Sequence, residues 1–141
     1  MIREGRYAMD AKRLCAKDLM QRDVKTVSEA TPVAAAAKLM RDGGVSSLVV
    51  ERCDESDAFG ILTRKDIVEA LTGFEFLETP RTVAEIMTKP AMTVSPNLSI
   101  YFCLQMMRMV GVRRLPVVDG EVLVGVLSNT DVFERAVADL R

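Results

Sequence analysis

Apolar positions follow one order of spacings along this chain, and that order occurs twice. Each copy has a short apolar segment, a long stretch with apolar residues at i, i+3, i+4 and i+7, two strand-like apolar runs and a closing helical stretch. Met20 corresponds to Met87, 67 positions later, and Gly60 corresponds to Gly125, 65 positions later. The second hairpin turn is therefore two residues shorter, and we interpret the chain as a tandem duplication.

The two copies predict the same elements. These are short helices at 16–20 and 83–87, extended segments at Val27 and Val94, long helices from 31 to 42 and from 97–99 to 110, hairpin strands at 47–51 with 59–62 and at 115–118 with 122–127, and closing helices at 64–71 and 129–140. We expect Thr31 to cap the first long helix, since Thr before Pro is typical of a helix start. Asp119-Gly120 is typical of a tight hairpin turn, whereas 53–57 predicts a looser polar turn.

The duplication also divides the chain. Residues 1–14 are predicted to be an N-terminal extension, 15–72 the first repeat, 73–81 a linker and 82–141 the second repeat. Gly73 and Pro80 favour an irregular linker, and the apolar Phe74, Phe76 and Leu77 are expected to hold it against the protein surface.

The second long helix carries more apolar surface than one packing face needs. Its core stripe is predicted to consist of Ile100, Cys103, Leu104, Met107 and Val110. Further apolar residues cover most of the remaining surface, namely Tyr101, Phe102, Met106 and Met109. Because a helix that is apolar most of the way round is buried on more than one side, we predict a homodimer. Packing of the N-terminal segment 1–14 against this surface is the alternative.

Composition excludes several functional classes. The 141 residues are enough for one domain with a substantial core. The 19 Lys and Arg against 20 Asp and Glu, a net charge of −1, leave no basic excess for nucleic acid. No apolar stretch approaches the roughly 18–20 residues that span a bilayer, and residues 1–14 lack the apolar core of a secretory signal. We therefore expect a cytoplasmic protein with neither nucleic acid nor membrane as a partner.

The cysteines and the absence of histidine argue against metal and redox chemistry. Cys15, Cys53 and Cys103 are odd in number and widely spaced, without a Cys-x-x-Cys pair, so a disulfide framework and a zinc site are both unexpected. Because the sequence has no histidine base, no nucleophile beside a partner and no metal-ligand cluster, we also expect no catalysis.

The most informative stretch is 125–131 (GVLSNTD), which repeats 60–66 (GILTRKD). Each copy predicts a buried strand, a hydroxyl residue at a turn and a helix with an aspartate in its first turn. In one interpretation the hydroxyl and the aspartate form a capping box. In the other, the helix start binds a phosphate and the carboxylate accepts hydrogen bonds from two neighbouring hydroxyls. A nucleotide offers both groups, and both interpretations remain open.

These motifs together resemble a tandem pair of CBS (cystathionine β-synthase) domains, a Bateman module. The resemblance covers about 15–138 and rests on the D-L-M and E-I-M openings, the G-V-x-x-L-x-V-V strand of the second copy and the G-x-L-[ST]-x-x-D endings. It implies an α+β fold in which two CBS repeats pack pseudo-symmetrically with their sheets facing. Members of this family bind adenine nucleotides or related adenosyl ligands between the repeats, usually regulate another protein, and commonly pair into disc-like dimers.

The resemblance also implies two unequal sites. The second-repeat site would consist of Ser128 and Asp131 with the basic Arg113 and Arg114, closed by the first repeat around Val27 and Thr31. The first-repeat site would consist of Thr63 and Asp66, closed around Val94 and Ser99. There Ser46 and Ser47 replace the arginine pair, and Arg64 and Lys65 are the substitute cations. Because arginine binds phosphate in a bidentate manner, we expect the second-repeat site to bind phosphates more tightly. A solvated charge pair, or a salt bridge to nearby acidic residues, is the alternative for the two arginines.

The predicted function is a non-catalytic, ligand-sensing module that needs no cofactor or metal. Its ligand would be AMP, ADP or ATP, with S-adenosylmethionine less expected, and its output would pass to a separate protein effector. The alternative is a dimerisation or docking module whose clefts are degenerate and bind nothing.

Overall fold

The computed structural model describes residues 9–71 and 81–140. Its elements are α1 (Ala16–Leu19), β1 (Thr26–Val27), α2 (Val33–Gly43), β2 (Ser47–Val50), β3 (Gly60–Thr63), α3 (Arg64–Leu71), α4 (Val83–Ile86), α5 (Ile100–Val110), β4 (Arg114–Asp119), β5 (Val122–Ser128) and α6 (Asn129–Ala138). The mixed α+β class and the duplicated order of elements are confirmed. The predicted packing of Phe74, Phe76 and Leu77 lies outside the described residues.

The chain forms two compact units that exchange their short helices. One unit contains Met1–Asp23 with Met92–Arg141, and the other is Val24–Ala91. Helix α1 therefore belongs with α5, β4, β5 and α6, whereas α4 belongs with α2, α3 and the first three strands. The repeats along the sequence and the compact units in space are two different divisions of the chain.

The unit Val24–Ala91 is built on a three-stranded sheet in the order β1-β2-β3. Strand β1 runs parallel to β2, and β2 pairs with β3 antiparallel, with Leu48 opposite Leu62. These two leucines are almost completely buried, and they belong to an apolar core made of Val27, Val33, Ala36, Met40, Leu48, Val50, Leu62, Ile67 and Val83. The C-cap of helix α2 is Gly44, whose φ of +64° suits a residue without a Cβ.

The other unit is built on the antiparallel pair β4–β5, which has an irregularity at Val117/Val118. Gly120, with φ +64°, begins the predicted tight turn between Asp119 and Val122. Val94 forms a parallel bridge to Val117. The core consists of Ala16, Leu19, Met20, Val94, Ile100, Cys103, Met107, Leu115, Val117, Leu127 and Val132.

Two predicted positions in the long helices are wrong. Pro32, not Thr31, is the N-cap of α2, and no side chain caps it. Thr31 instead pairs through its backbone, because its carbonyl accepts a hydrogen bond from the Val83 N–H at 2.8 Å. Val110 is 47% exposed, since it lies in the last turn of α5, about 80° around the helix axis from Ile100.

The N-terminal segment covers the start of α5. The carbonyl of Leu14 accepts from the Ile100 N–H, and that of Ala11 accepts from the Tyr101 N–H, both at 2.8 Å. The Lys12 ammonium lies 5.5 Å from the centroid of the Tyr101 ring. The alternative packing of this segment therefore holds for the first two residues of the helix. Phe102 in the first turn, and Met109 and Val110 in the last, remain exposed.

One glycine in each copy permits a close backbone contact. In the unit Val24–Ala91, Gly60 is the first residue of β3, and a Cβ there would lie 3.1 Å from the Thr88 carbonyl oxygen. In the other unit, a Cβ on Gly125 would lie 2.5 Å from Met20 Sδ and 2.9 Å from the Gln21 carbonyl oxygen. The segment that follows each short helix thus reaches its strand only because a glycine stands there.

Backbone hydrogen bonds explain why that approach is so close. Gln21 and Val126 exchange N–H···O bonds of 2.9 and 3.0 Å, and Ile61 and Thr88 exchange bonds of 2.9 and 3.0 Å. The two bridges are equivalent in the two copies, and each adds a short extended segment beside the second strand of a hairpin, β3 or β5.

We predict that Gly125→Ala lowers the free energy of unfolding by about 1–3 kcal/mol, because the new methyl group collides with a hydrogen-bonded backbone oxygen. Gly60→Ala should have a smaller effect, since its nearest atoms lie at 3.1 Å. Urea denaturation followed by circular dichroism measures both. Glu134→Ala on the exposed face of α6 is the control and should change stability by less than about 0.5 kcal/mol. A Gly125→Ala protein as stable as the control would contradict the close contact.

Candidate functional site

The first-repeat motif forms a reciprocal cap at the start of α3. The hydroxyl of Thr63 accepts a hydrogen bond from the Asp66 N–H at 3.1 Å. In return, Oδ2 of Asp66 accepts from the Thr63 N–H at 2.8 Å. Both side chains are half-buried. Strand β3 leads directly into α3, so the motif places a hydroxyl and a carboxylate together at the positive end of a helix.

The second-repeat motif forms the same cap with more contacts. The hydroxyl of Ser128 accepts from the Asp131 N–H at 3.1 Å, and Asp131 Oδ2 accepts from both the Ser128 N–H and the Ser128 hydroxyl at 2.9 Å. In addition, the side-chain amide of Gln21 donates to Asp131 Oδ1 at 2.9 Å. Both oxygens of this carboxylate therefore have protein donors.

Gln21 is a residue that the sequence interpretation missed. Its contact with Asp131 joins positions 110 residues apart, which no local pattern indicates. The available signal was the duplication itself, because Gln21 follows Met20 where Thr88 follows Met87. Threonine is too short to make the same contact, and within residues 9–71 and 81–140 no hydrogen bond reaches Asp66 Oδ1. The two caps thus differ in how much of the carboxylate they occupy.

The predicted basic residues lie next to the caps. Arg113 is exposed, and its carbonyl accepts from the Asn129 N–H at 3.0 Å. Arg114 is half-buried and pairs with Ser128 in the β4–β5 ladder. The carbonyl of Ser46 accepts from the Arg64 N–H at 2.9 Å, the same contact that Arg113 makes, so Ser46 replaces Arg113 in the first copy.

The substitute cations of the first copy are both in the first turn of α3. Arg64 and Lys65 are exposed. The Lys65 ammonium lies 3.9 Å from Glu69 Oε1, one turn further along the helix. Lys65 therefore already has a weak partner on its own helix.

The residues predicted to close the sites have structural positions in their own units. Val27 and Val94 are buried core residues. Ser99 caps α5 by accepting a hydrogen bond from the Phe102 N–H at 3.3 Å, and Thr31 is half-buried. Each of them belongs to a different unit from the cap it was predicted to close, and that role stays a prediction.

A second polar cluster, also unforeseen, surrounds Lys89. Its ammonium lies 2.7 Å from Glu29 Oε2 and 2.5 Å from Asp57 Oδ2, and its side chain is only 12% exposed. Cys53 lies beside it and donates its backbone N–H to Asp57 Oδ2 at 2.8 Å. One potential ligand atom from each of Glu29, Cys53 and Asp57 lies within 4.8 Å of the others.

The charges of this cluster are those of an ion-pair network. Hydrogen bonds from Lys89 hold the pKa of Glu29 and of Asp57 below their usual values. Burial disfavours the charged Lys89, but its two carboxylate partners outweigh burial and raise its pKa. A hydrogen bond to Glu29 raises the pKa of the Cys53 thiol. The thiol is therefore neutral near pH 7, and the Lys89 ammonium is a cation that both carboxylates contact.

Within the described ranges, the structure has no helix with the length and apolar character needed to cross a membrane.

Comparison with known proteins identifies both copies. The family model described as CBS domain matches residues 16–73 and 83–138. The chain is 32% identical to an uncharacterized protein of Methanocaldococcus jannaschii (87% of this chain, 32% of that protein). It is 36% identical to inosine-5'-monophosphate dehydrogenase of Korarchaeum cryptofilum (85% and 24%). It is 32% identical to the CBS domain-containing protein YhcV of Bacillus subtilis (82% and 80%). The chain thus spans a third or less of the first two relatives.

Solved structures share the fold. The hexameric CBS-CP12 protein from bloom-forming cyanobacteria has a TM-score of 0.79 and 34% identity, covering 87% of this chain and 71% of that one. The CBS domain pair of protein MJ0100, in complex with 5'-methylthioadenosine and S-adenosyl-L-methionine, has a TM-score of 0.73 and 24% identity (85% and 93%). CBSX2 in complex with AMP has a TM-score of 0.73 and 22% identity (89% and 97%).

We predict that Lys89→Met destabilises the protein at pH 7, because two half-buried carboxylates lose their cation. In the wild type, the lowered pKa values of Glu29 and Asp57 contribute stability that is complete above their ordinary values of 4.5 and 3.8. That contribution is lost as the pH falls through the lowered values. The stability difference between the variant and the wild type should therefore shrink between pH 5 and pH 2.

The urea concentrations at the midpoint of unfolding, measured at pH 7, 5, 3 and 2, give this difference. Lys65→Met is the matched control, since it removes an exposed cation with a weak partner and should change little at any pH. If Lys89→Met followed the wild type in parallel across the pH range, the ion-pair network would not contribute to stability.

Proposed function

This chain belongs to the CBS domain family, with two of its domains in tandem, and on that premise we propose that it is a non-catalytic sensor of an adenine nucleotide or a related adenosyl ligand. Regulation through a bound ligand is typical of CBS domain pairs. The choice of ligand, the residues that bind it and the transfer of its signal to a separate protein are proposals.

The duplicated hydroxyl-aspartate cap is the observation that carries the proposal. Each cap places a half-buried hydroxyl and a half-buried carboxylate at the start of α3 or α6. The N-terminal end of a helix favours a phosphate, and a carboxylate accepts hydrogen bonds from a ribose diol. Capping accounts for both helix starts. A ligand site would in addition account for the arginines, or their substitutes, beside each cap.

The fold supports the adenosyl class of ligand. The structurally similar MJ0100 pair holds 5'-methylthioadenosine and S-adenosyl-L-methionine, and CBSX2 holds AMP. Arginine beside a helix start favours a ligand with phosphate groups. We therefore propose AMP, ADP or ATP first, and S-adenosylmethionine second.

The proposed ligand residues are those of the two predicted sites. The second-repeat site would use Ser128, Asp131, Arg113 and Arg114, with Val27 and Thr31. The first-repeat site would use Thr63, Asp66, Ser46, Arg64 and Lys65, with Val94 and Ser99. A ligand bound there would change the packing of the protein only to the extent that it binds two arrangements with different affinity.

A second candidate function is a docking module without a ligand. The observation in its favour is that Asp131 already accepts hydrogen bonds at both oxygens. A cap of this kind has hydrogen-bond partners for its polar groups without a bound ligand. The binding experiment below separates the two functions.

We predict that isothermal titration calorimetry detects binding of at least one of AMP, ATP and S-adenosylmethionine. Asp66→Ala and Asp131→Ala should each weaken binding at their own site by about 10- to 100-fold, since each removes charge-assisted hydrogen bonds to the ligand. Asp42→Ala, an exposed carboxylate at the end of α2, is the control. Circular dichroism confirms that the variants are folded, because the loss of a cap costs about 1 kcal/mol. No heat with any of the three ligands would leave only the docking module.

We also propose a homodimer formed through the exposed face of α5. Met109 is 81% exposed and Phe102 is 55% exposed, and apolar side chains of this size favour burial against a partner. The hexameric state of the CBS-CP12 protein is an example of assembly by a related fold.

The double substitution Phe102→Glu with Met109→Glu should convert the dimer to a monomer, because it places charges in an apolar interface. Light scattering coupled to size-exclusion chromatography gives the mass directly. Arg108→Glu, on the same helix and also exposed, is the control and should remain dimeric. A monomeric wild type would contradict the assignment of this face.

A further inference from the structure

The side chains at positions 21 and 88 occupy equivalent places in the two units. Each follows a short helix, and each is held by two backbone hydrogen bonds to the strand that precedes a cap, Gln21 to Val126 and Thr88 to Ile61. Both side chains are exposed. The backbone therefore fixes where each side chain starts, and the residue type decides whether it reaches the aspartate.

The residue type makes the two carboxylates unequal. An ionised carboxylate has about four acceptor positions. Asp131 already receives three donors, namely the Ser128 N–H, the Ser128 hydroxyl and the Gln21 amide. Asp66 receives one, the Thr63 N–H, among the residues that the structure describes.

The number of acceptor positions still unoccupied decides which carboxylate can accept a diol. Two neighbouring hydroxyls need two acceptor positions. Asp66 has them, whereas Asp131 has room for one unless the Gln21 amide leaves. The loss of an amide-carboxylate hydrogen bond at an exposed position lowers an equilibrium constant by up to about tenfold.

We propose that Gln21 is a specificity-determining residue that restricts access of a vicinal diol to Asp131. The proposal rests on the proposed function and deepens it. The first-repeat site, with Thr88 in the equivalent position, binds a ribose ligand first, and the second-repeat site fills at higher ligand concentration after the Gln21 amide has moved. This order is the opposite of the one that the arginine pair alone predicts.

Such an arrangement gives one protein two response ranges for one ligand. The two caps themselves differ by one donor, the Ser128 hydroxyl, but this donor still leaves Asp131 two acceptor positions once the Gln21 amide has moved. The restriction therefore depends on the side chain at position 21, outside the cap.

Reciprocal substitutions in single-site proteins test the proposal. Asp66→Ala leaves the second-repeat site for study, and there Gln21→Thr should tighten AMP binding by about 5- to 10-fold. Asp131→Ala leaves the first-repeat site, and there Thr88→Gln should weaken AMP binding by a similar factor. Calorimetry measures both, and Gln105→Thr, which changes the second glutamine of the chain, is the matched control.

A ligand without the vicinal diol distinguishes an effect on diol access to Asp131 from an effect on the stability of the protein. With 2'-deoxy-AMP, which has a single ribose hydroxyl, Gln21→Thr should change the affinity by less than about twofold. An equal gain for AMP and 2'-deoxy-AMP would overturn the proposal, as would swaps that leave AMP affinity unchanged while both single-site proteins bind it.

The contact itself has a readout that needs no ligand. In two-dimensional NMR spectra, the side-chain amide signals of Gln21 should shift in Asp131→Ala and stay in place in Asp66→Ala. If the Gln21 side-chain signals shifted in neither variant, the hydrogen bond to Asp131 would be absent in solution. The proposal would then be wrong. If this signal behaved as expected but no variant, Gln21→Thr included, bound AMP, ATP or S-adenosylmethionine, the sensor function would fail, and the restriction of a diol would fail with it.

Discussion

The backbone bridge between the segment after each short helix and its strand is the constraint on which the rest of the structure depends. Gln21 pairs with Val126, and Thr88 pairs with Ile61, each by two hydrogen bonds. A glycine opposite each bridge allows the approach, and the strand then leads directly into the cap. One geometric arrangement thus sets the position of the short helix, of the cap and of the residue at position 21 or 88.

At these caps, the atoms that stabilise the helix start are the same atoms that would bind a ligand. The hydroxyl and carboxylate satisfy backbone N–H groups that a helix start would otherwise leave without partners. A ligand at this place must therefore use the acceptor positions that remain, and their number differs between Asp66 and Asp131. The Lys89 network has the opposite character, because its carboxylates, its ammonium and its neutral thiol satisfy one another.

Local patterns predicted most of the fold. The helical period located the long helices, and the duplication showed that they are equivalent elements of the two copies. Asp119-Gly120 predicted the hairpin turn. Thr31 was misplaced because its backbone pairs with Val83, a contact 52 positions away that leaves no periodic signal. For the same reason the motif predicted Ser128 and Asp131 but not Gln21, and no pattern predicted that Glu29, Asp57 and Lys89 converge. Long-range polar contacts depend on the finished fold, which residue spacing alone does not encode.

The exchange of short helices bears on how the chain folds during synthesis. The unit Val24–Ala91 is continuous, so all its parts are present once Ala91 has been translated. Helix α1 packs against β5 and α6, so the core around its apolar Ala16, Leu19 and Met20 is complete only after Val132 has been translated. The first helix of the described chain is thus among the last to be fully buried. Until then it exposes an apolar surface of the kind that chaperones recognise.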